Sequence, residues 1–249
     1  MRVVRVRYAE QTFYAALYPE HVRPLGERIE APRSIPLQEV ALERPVQPTK
    51  VVCVGLNYHA HAQELGKEIP AEPLLFLKPP SSVIASGETI LLPPQSENVH
   101  YEGELAMVMG KTCRNAEIEE VPEHIFGYSC ANDVTARDLQ QKDVQYTRAK
   151  GFDTFCPIGP CIETDLSPEQ GLGLKTLQNG ELRQRGSTSD MVFPPARLVS
   201  FISGIMTLNP GDVILTGTPP GVGRITSGDS LSIEIEGIGE LQNSVQDQG

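Results

Sequence analysis

The sequence of 249 residues lacks a hydrophobic run long enough to cross a bilayer, and its charged opening, Met1 to Arg5, is followed by no signal-peptide core. Its five cysteines are scattered, odd in number and without a C-x-x-C pair, which argues against a disulfide framework or a zinc site and is typical of a reducing cytosol. Basic residues are also few, with 21 Lys and Arg against 32 Asp and Glu, a formal charge of −11. An acidic surface repels phosphate groups, so we expect no nucleic-acid partner and no membrane partner. The cysteine pattern leads us to expect a cytoplasmic protein.

The composition indicates a globular chain made of short segments. Hydrophobic residues make up 39% and charged residues 21% of the chain, which argues against extensive disorder. Glycine and proline, with 22 and 21 residues, interrupt the chain too often for long helices. Residues 1–48, which begin with a predicted hairpin over residues 3–18, are interpreted as a small N-terminal β appendage and linker before a main domain over residues 49–249.

Within the main domain, hydrophobic patterning predicts short strands and few helices. Strands are expected over residues 50–55, 74–77, 89–92, 100–110 and 125–133, with a terminal hairpin over residues 231–245. Helices are expected over residues 57–66, 134–150 and 198–208. The sum is a β-rich α+β fold.

Two acidic residues stand at the start of the longest predicted strand. Glu102 and Glu104 alternate with Gly103, so they share one face of the strand with Cα atoms roughly 6.7 Å apart. The strand continues apolar on both faces, which indicates that it is covered on both. Two carboxylates near a core repel each other and lose hydration, and a bound divalent cation would relieve both penalties. The alternative is a strand end that simply emerges into water.

A third carboxylate, Asp133, lies where an apolar strand ends and a helix is predicted to begin. Aspartate is also a good helix N-cap, so this position alone has a structural explanation. Three carboxylates without a His or Cys cluster suit a hard cation, Mg²⁺ or Mn²⁺, with Ca²⁺ as a third candidate. Arg137, Gln140 and Lys150 follow within reach of such a site, although each alone is typical of a solvated surface.

Two further segments carry polar groups suited to catalysis. His61 and Glu64 are three residues apart on the predicted helix, where a carboxylate can orient an imidazole as a general base. Without context, a surface His–Glu pair is the commoner explanation. The segment from Thr216 to Gly223 is rich in glycine after a strand and has backbone N–H groups that could hold an anion, or forms a tight turn.

In this order, the motifs resemble the fumarylacetoacetate hydrolase family from about Lys50 onward. The carriers are Gly55-Leu56-Asn57-Tyr58 with His61 and Glu64, Phe76-Leu77-Lys78-Pro79, Tyr101-Glu102-Gly103-Glu104-Leu105, Asn132-Asp133-Val134-Thr135-Ala136-Arg137-Asp138-Leu139-Gln140, Lys150-Gly151-Phe152-Asp153, Asn179-Gly180-Glu181 and Leu215-Thr216-Gly217-Thr218-Pro219. The resemblance implies a mixed β-roll of the type found in the family's C-terminal domain, and a homodimer.

The resemblance also implies roles for individual residues. Glu102, Glu104 and Asp133 align with the metal-binding carboxylates, and the catalytic set is a His61–Glu64 dyad on a mobile lid together with Lys150. The predicted substrate-binding residues are Arg137, Gln140, Thr218 and Lys78.

The activity implied is that of the compact acylpyruvase-like branch of the family. The chain lacks the extended N-terminal domain of the larger fumarylacetoacetate hydrolases and the aspartate that completes their metal site, so fumarylacetoacetate itself is not expected as substrate. We expect a divalent-metal-dependent hydrolase that cleaves a C–C bond in a 2,4-dioxo acid through a metal-bound enolate, with His61 taking a proton from water. Oxaloacetate decarboxylation and 2-oxo acid tautomerisation would use the same site, and a non-catalytic oxo-acid binding protein is the alternative of another class.

Overall fold

The computed structural model describes residues 1–26 and 29–249, and these residues fold mainly as short β-strands. The strands, in chain order, are β1 (Arg2–Tyr8), β2 (Gln11–Leu17), β3 (His21–Pro24), β4 (Ile35–Pro36), β5 (Ala41–Glu43), β6 (Val51–Gly55), β7 (Leu74–Lys78), β8 (Val83–Ile84), β9 (Thr89–Leu92), β10 (Val99–Tyr101), β11 (Gly103–Met109), β12 (Ile125–Asn132), β13 (Thr135–Ala136), β14 (Cys156–Glu163), β15 (Gly173–Gln178), β16 (Glu181–Ser187), β17 (Val213–Leu215), β18 (Gly223–Arg224), β19 (Ser230–Ile235) and β20 (Gly239–Asp247).

The helices are short, as the frequent glycine and proline residues predict. The α-helices are α1 (His59–Glu64), α2 (Arg137–Lys142), α3 (Thr147–Lys150) and α4 (Pro195–Ile205), and 3₁₀ turns occur at Leu37–Glu39, Pro80–Ser82, Ile118–Glu123, Pro168–Gln170 and Thr188–Asp190. Within residues 1–26 and 29–249, every helix is too short or too polar to span a membrane.

The strands form one large and two smaller sheets. The large sheet has the order β4-β3-β2-β1-β14-β12-β11-β17-β6-β7, with β5 beside β1 and β8 beside β14. The smaller sheets have the orders β13-β10-β18 and β16-β15-β19-β20-β9. Strand β1 pairs with β14, so the N-terminal hairpin extends the large sheet. The division at residue 48 stays a prediction.

The core lies on both faces of the large sheet. One face of β11, with Leu105, Met107 and Met109, packs into a cluster shared with β19, β20 and α4. The other face, with Ala106 and Val108, packs into a second cluster shared with β6, β14 and β17. All seven residues of β11 are buried, which confirms the prediction that this strand is covered on both faces.

The predicted β-rich α+β fold is confirmed, and two elements differ from expectation. The strand expected over residues 100–110 divides at Glu102, between β10 and β11, because the chain passes there from the three-stranded to the large sheet. The single helix expected over residues 134–150 is replaced by β13 and two short helices, α2 and α3.

Candidate active site

The two glutamates lie at the junction between β10 and β11. Because the strand ladder is interrupted there, side chains supply hydrogen bonds that strand partners would otherwise make. The backbone N–H of Glu102 donates to Asn132 Oδ1 (2.9 Å), and the backbone N–H of Gly103 donates to Gln184 Oε1 (2.9 Å). The junction is therefore held in one conformation by buried amides from two different strands.

Asp133 joins these glutamates from the neighbouring strand. It directly follows β12, which pairs antiparallel with β11 so that Gly103 lies opposite Asn132. One carboxylate oxygen from each of Glu102, Glu104 and Asp133 falls in a cluster whose atoms all lie within 4.8 Å of one another. All three side chains are buried. The three predicted ligands are thus brought together.

Buried cations surround two of the three carboxylates. The Lys150 ammonium donates to Glu102 Oε2 (2.9 Å) and to Asp133 Oδ2 (2.6 Å), while the Lys78 ammonium donates to Asp133 Oδ1 (2.6 Å). The Arg137 guanidinium forms a further ion pair with Glu102. Burial alone would raise the pKa of Glu102, but Arg137 and Lys150 outweigh it and hold that pKa well below its ordinary value.

Glu104 has a different environment. Its Oε2 accepts a hydrogen bond from the backbone N–H of Gly217 (2.7 Å), and the described residues give it no ion pair within 4.0 Å. Burial first, and then the charges of Asp133 and Glu102, raise the pKa of Glu104 well above its ordinary value. A divalent cation among the three oxygens would remove this penalty, and an all-carboxylate donor set suits Mg²⁺ or Mn²⁺. The residues present therefore fit such an ion.

His61 of the predicted dyad faces the same pocket. In α1, His61 Nδ1 lies 3.0 Å from Glu64 Oε2, and Glu64 Oε1 accepts from the backbone N–H of Gly221 (2.9 Å). His61 is only 4% exposed, and it lines the pocket together with Glu102 and Glu104. A neutral imidazole that donates from Nδ1 to a carboxylate has its acceptor lone pair on Nε2. The pair thus has the geometry of an oriented general base.

Residues 50–246 match the family model for the C-terminal domain of fumarylacetoacetate (FAA) hydrolase, which spans most of the chain. The chain belongs to the fumarylacetoacetate hydrolase family. This establishes the family that the motifs predicted, and with it the β-roll fold.

Individual members of the family are similar over most of the chain. An uncharacterized protein of Methanocaldococcus jannaschii is 53% identical over 205 residues, covering 82% of this chain and 86% of the relative. The oxaloacetate tautomerase YisK of Bacillus subtilis is 40% identical over 245 residues, covering 90% of this chain and 81% of the relative.

Solved structures of the family superpose closely. The 5-carboxymethyl-2-hydroxymuconate delta-isomerase from Mycobacterium smegmatis has a TM-score of 0.92 at 45% identity, with 100% of both chains covered. The maleylpyruvate hydrolase from Sphingobium sp. SYK-6, solved with manganese(II) and pyruvate, has a TM-score of 0.83 at 30% identity, again with 100% of both chains covered.

Three of the four predicted substrate-binding residues of this family member line the pocket. Arg137 and Gln140 do so together, with Arg137 Nη1 donating to Gln140 Oε1 (2.7 Å). Thr218 also lines it, although its hydroxyl donates to Gly103 O (2.8 Å) and accepts from Gln184 Nε2 (2.8 Å). Contact of these residues with a substrate stays a prediction.

Lys78 occupies a different place from the one predicted. Its side chain is fully buried behind Asp133, and its ammonium donates to Asp133 Oδ1 and to the backbone oxygen of Val134 (3.0 Å). It is not among the residues that line the pocket. This geometry favours a role in holding Asp133 rather than a contact with substrate.

Several residues of the pocket were not predicted from the sequence. Phe76 stacks on Lys150, whose Nζ lies 4.7 Å from the ring centroid, and Tyr146 packs edge-on against Phe76 at 5.7 Å. Lys67, just beyond α1, also lines the pocket. The only sequence signal for Phe76 was its place in the Phe76-Leu77-Lys78-Pro79 motif, whereas Tyr146 lies in a segment expected to be helical.

Proposed function

We propose that this protein is a divalent-metal-dependent enzyme that moves a proton at the carbon beside the ketone of a small 2-oxo acid. The observation that carries the proposal is the buried His61, which is hydrogen-bonded to Glu64 and lines the same pocket as Glu102 and Glu104 of the carboxylate cluster. A base beside a cluster of metal ligands is suited to enolisation, because charge that develops on the ketone oxygen must be stabilised as the proton leaves carbon. A divalent cation held by Glu102, Glu104 and Asp133 would supply that Lewis-acid stabilisation.

Other residues of the site would orient the base, hold the substrate and limit the access of water. Glu64, held by the Gly221 N–H, orients His61 so that Nε2 takes the proton from carbon and returns it to the ketone oxygen. Arg137 and Gln140, which are bonded to each other at the pocket wall, would hold a substrate carboxylate. Phe76 and Tyr146 cover the Lys150 side of the pocket and limit its access to water.

Oxaloacetate is the first candidate substrate, with keto–enol tautomerisation as the reaction. Support comes from YisK, a relative named as an oxaloacetate tautomerase that is 40% identical over 90% of this chain. Tautomerisation needs only the proton transfer described above, so the His61–Glu64 pair and the carboxylate cluster are sufficient for it.

Hydrolysis of a C–C bond in a 2,4-dioxo acid is the second candidate. It is favoured by the similarity to a maleylpyruvate hydrolase whose structure contains manganese(II) and pyruvate. In this reaction His61 would take its proton from water, the resulting hydroxide would attack the distal carbonyl, and pyruvate would leave as its enolate and be protonated. Decarboxylation of oxaloacetate would start from the same substrate geometry without water attack.

Product identification by ¹H NMR separates these activities. Metal-stripped protein is supplied with Mg²⁺ and given oxaloacetate or acetylpyruvate. Faster keto–enol exchange identifies the tautomerase, pyruvate from oxaloacetate identifies the decarboxylase, and pyruvate plus acetate from acetylpyruvate identifies the hydrolase. Binding without any turnover of either acid would contradict the proposal and leave a non-catalytic oxo-acid binding protein.

We also infer a homodimer in the cytoplasm, on the strength of the resemblance to the family. Light scattering after gel filtration tests the oligomeric state, with a dimer expected at twice the 27.2 kDa of the chain.

A further inference from the structure

We propose that Gln184 is a positioning residue for the metal-binding carboxylates. It acts through the backbone of Gly103, between Glu102 and Glu104, and it ties this backbone to the turn that carries Thr218. The inference rests on the proposed metal site, but it concerns a residue outside all the motifs that identify the family.

Gln184 is unusual for its strand. In β16 it is the only buried position, and its side chain is fully buried while its neighbours Arg183 and Arg185 are exposed. A glutamine is rarely placed in a core unless its amide is hydrogen-bonded, because an unpaired buried amide is costly. The buried amide of Gln184 is therefore expected to hydrogen-bond with other buried groups.

The side-chain amide of Gln184 forms three hydrogen bonds. Gln184 Oε1 accepts from the backbone N–H of Gly103 (2.9 Å), and Nε2 donates to Thr218 Oγ1 and to the backbone oxygen of Pro219, both at 2.8 Å. The amide orientation follows from these partners, since the N–H of Gly103 requires an acceptor and the oxygen of Pro219 requires a donor. These three bonds are named the Gln184 bridge.

The Gln184 bridge is part of a hydrogen-bond network beside Glu102 and Glu104. Thr218 Oγ1 donates to Gly103 O (2.8 Å), so both backbone polar groups of Gly103 are bonded to the bridge or its partner. In the same turn, the N–H of Gly217 donates to Glu104 Oε2 (2.7 Å). Gln184 thus fixes the segment between Glu102 and Glu104 and also the turn that orients Glu104.

Side chains of β15 and β16 in the five-stranded sheet approach Gly103 so closely that only glycine fits between Glu102 and Glu104. A Cβ on Gly103 would lie 2.2 Å from Thr176 Oγ1 and 3.2 Å from Gln184 Oε1. Asp133, by contrast, is placed by β12 and by Lys78 and Lys150. Losing the bridge would therefore move two of the three ligands relative to the third.

The test compares Mn²⁺ affinity in two variants of neighbouring side chains. Gln184→Met keeps the size of the side chain but removes all three bonds. Thr176→Val is the matched control, because Thr176 is buried against the same glycine while its hydroxyl has no hydrogen-bond partner within the described part of the chain. Both variants are examined by circular dichroism and by calorimetry at 25 °C with Mn²⁺.

We expect Gln184→Met to weaken Mn²⁺ binding by about 10–100-fold, the usual effect of losing a residue that orients metal ligands, and Thr176→Val to change it by less than about twofold. A folded Gln184→Met protein with the Kd of the wild type and only a lower Tm would overturn the inference and leave a structural role. Should this variant not fold, Gln184→Asn keeps an amide in the core but is one methylene too short to form the whole bridge, and the same weakening is expected.

Amide hydrogen exchange separates the failure of this inference from the failure of the proposed function. In metal-free protein, loss of the bridge should speed exchange of the Gly103 amide at least about tenfold in Gln184→Met relative to Thr176→Val. Unchanged exchange would overturn the positioning role. Wild-type protein that does not bind Mn²⁺ would contradict the proposed metal site, while faster exchange in Gln184→Met would still support the Gln184 bridge.

Discussion

Replacing Glu104 with glutamine should make the metal-free protein more stable and remove most of its stabilisation by metal. The carboxylate of Glu104 is buried beside Asp133 and Glu102, and it has a backbone N–H of Gly217 as its partner. A neutral amide can still accept that hydrogen bond, and its NH₂ group can donate to the neighbouring carboxylates. The same change removes one of three negative ligands.

The pH dependence of stability follows from the raised pKa of Glu104 in the folded, metal-free protein. Its contribution is fully present below the pKa of the unfolded chain, near 4.5, and is lost as the pH rises through the folded-state value. Metal-free wild type should therefore lose Tm, relative to Glu104→Gln, as the pH rises above about 4.5. Without this carboxylate the variant should lack that part of the decline.

The effect of metal can be given a magnitude. At a free Mn²⁺ concentration of one hundred times Kd, binding stabilises the folded state by about 2.7 kcal/mol. For a chain of this size that corresponds to a rise in Tm of about 5–11 °C. If Glu104→Gln weakens binding a hundredfold, the same Mn²⁺ concentration stabilises the variant by about 0.4 kcal/mol, or roughly 1 °C.

Thermal unfolding in chelator and in Mn²⁺, at pH 5 and pH 8, measures all of these quantities. Glu119→Gln is the control, because Glu119 is an exposed glutamate away from the pocket. An equal Mn²⁺-induced shift in Glu104→Gln and wild type would refute the assignment of Glu104 as a ligand. A metal-free variant less stable than wild type at pH 8 would refute the electrostatic reasoning.

Three other substitutions test the remaining parts of the site. His61→Ala should lower turnover of oxaloacetate by about 10²–10⁴-fold and leave Mn²⁺ affinity unchanged, and full turnover would remove His61 as the base. Lys150→Met should lower the free energy of unfolding of the metal-free protein by about 3–5 kcal/mol in urea, because two buried carboxylates lose a cation, whereas a change below about 1 kcal/mol would contradict this account. Lys67→Met should raise KM for oxaloacetate by at most about fivefold, as expected for an exposed charge on the pocket wall, and a larger rise would show a buried contact with substrate.

The carboxylate cluster could be predicted because local patterns determine it. Alternation of side chains predicts that Glu102 and Glu104 share one face, and they do lie together although the strand divides at Glu102, while β12 ends directly before Asp133 and brings it beside them. The spacing of His61 and Glu64 on a helix likewise predicts their contact, which the structure shows at 3.0 Å.

The residues that support the cluster could not be found in this way. Gln184 follows Gly103 by 81 positions in the chain, and its burial depends on how β16 packs against the β10–β11 junction. Lys78 was expected at the substrate because the family motif contains it, but its ammonium ends behind Asp133. Such placements depend on contacts between distant strands, which periodicity in one segment does not encode.

The central claim is that a divalent cation bound by Glu102, Glu104 and Asp133 is required for proton transfer on a 2-oxo acid. The most direct test is the rate of keto–enol conversion of oxaloacetate, followed by ¹H NMR with Mg²⁺ and then with excess chelator. We predict conversion well above the uncatalysed rate with Mg²⁺ and loss of that excess when the cation is removed. An equal enzymatic rate in chelator and in Mg²⁺ would contradict the claim.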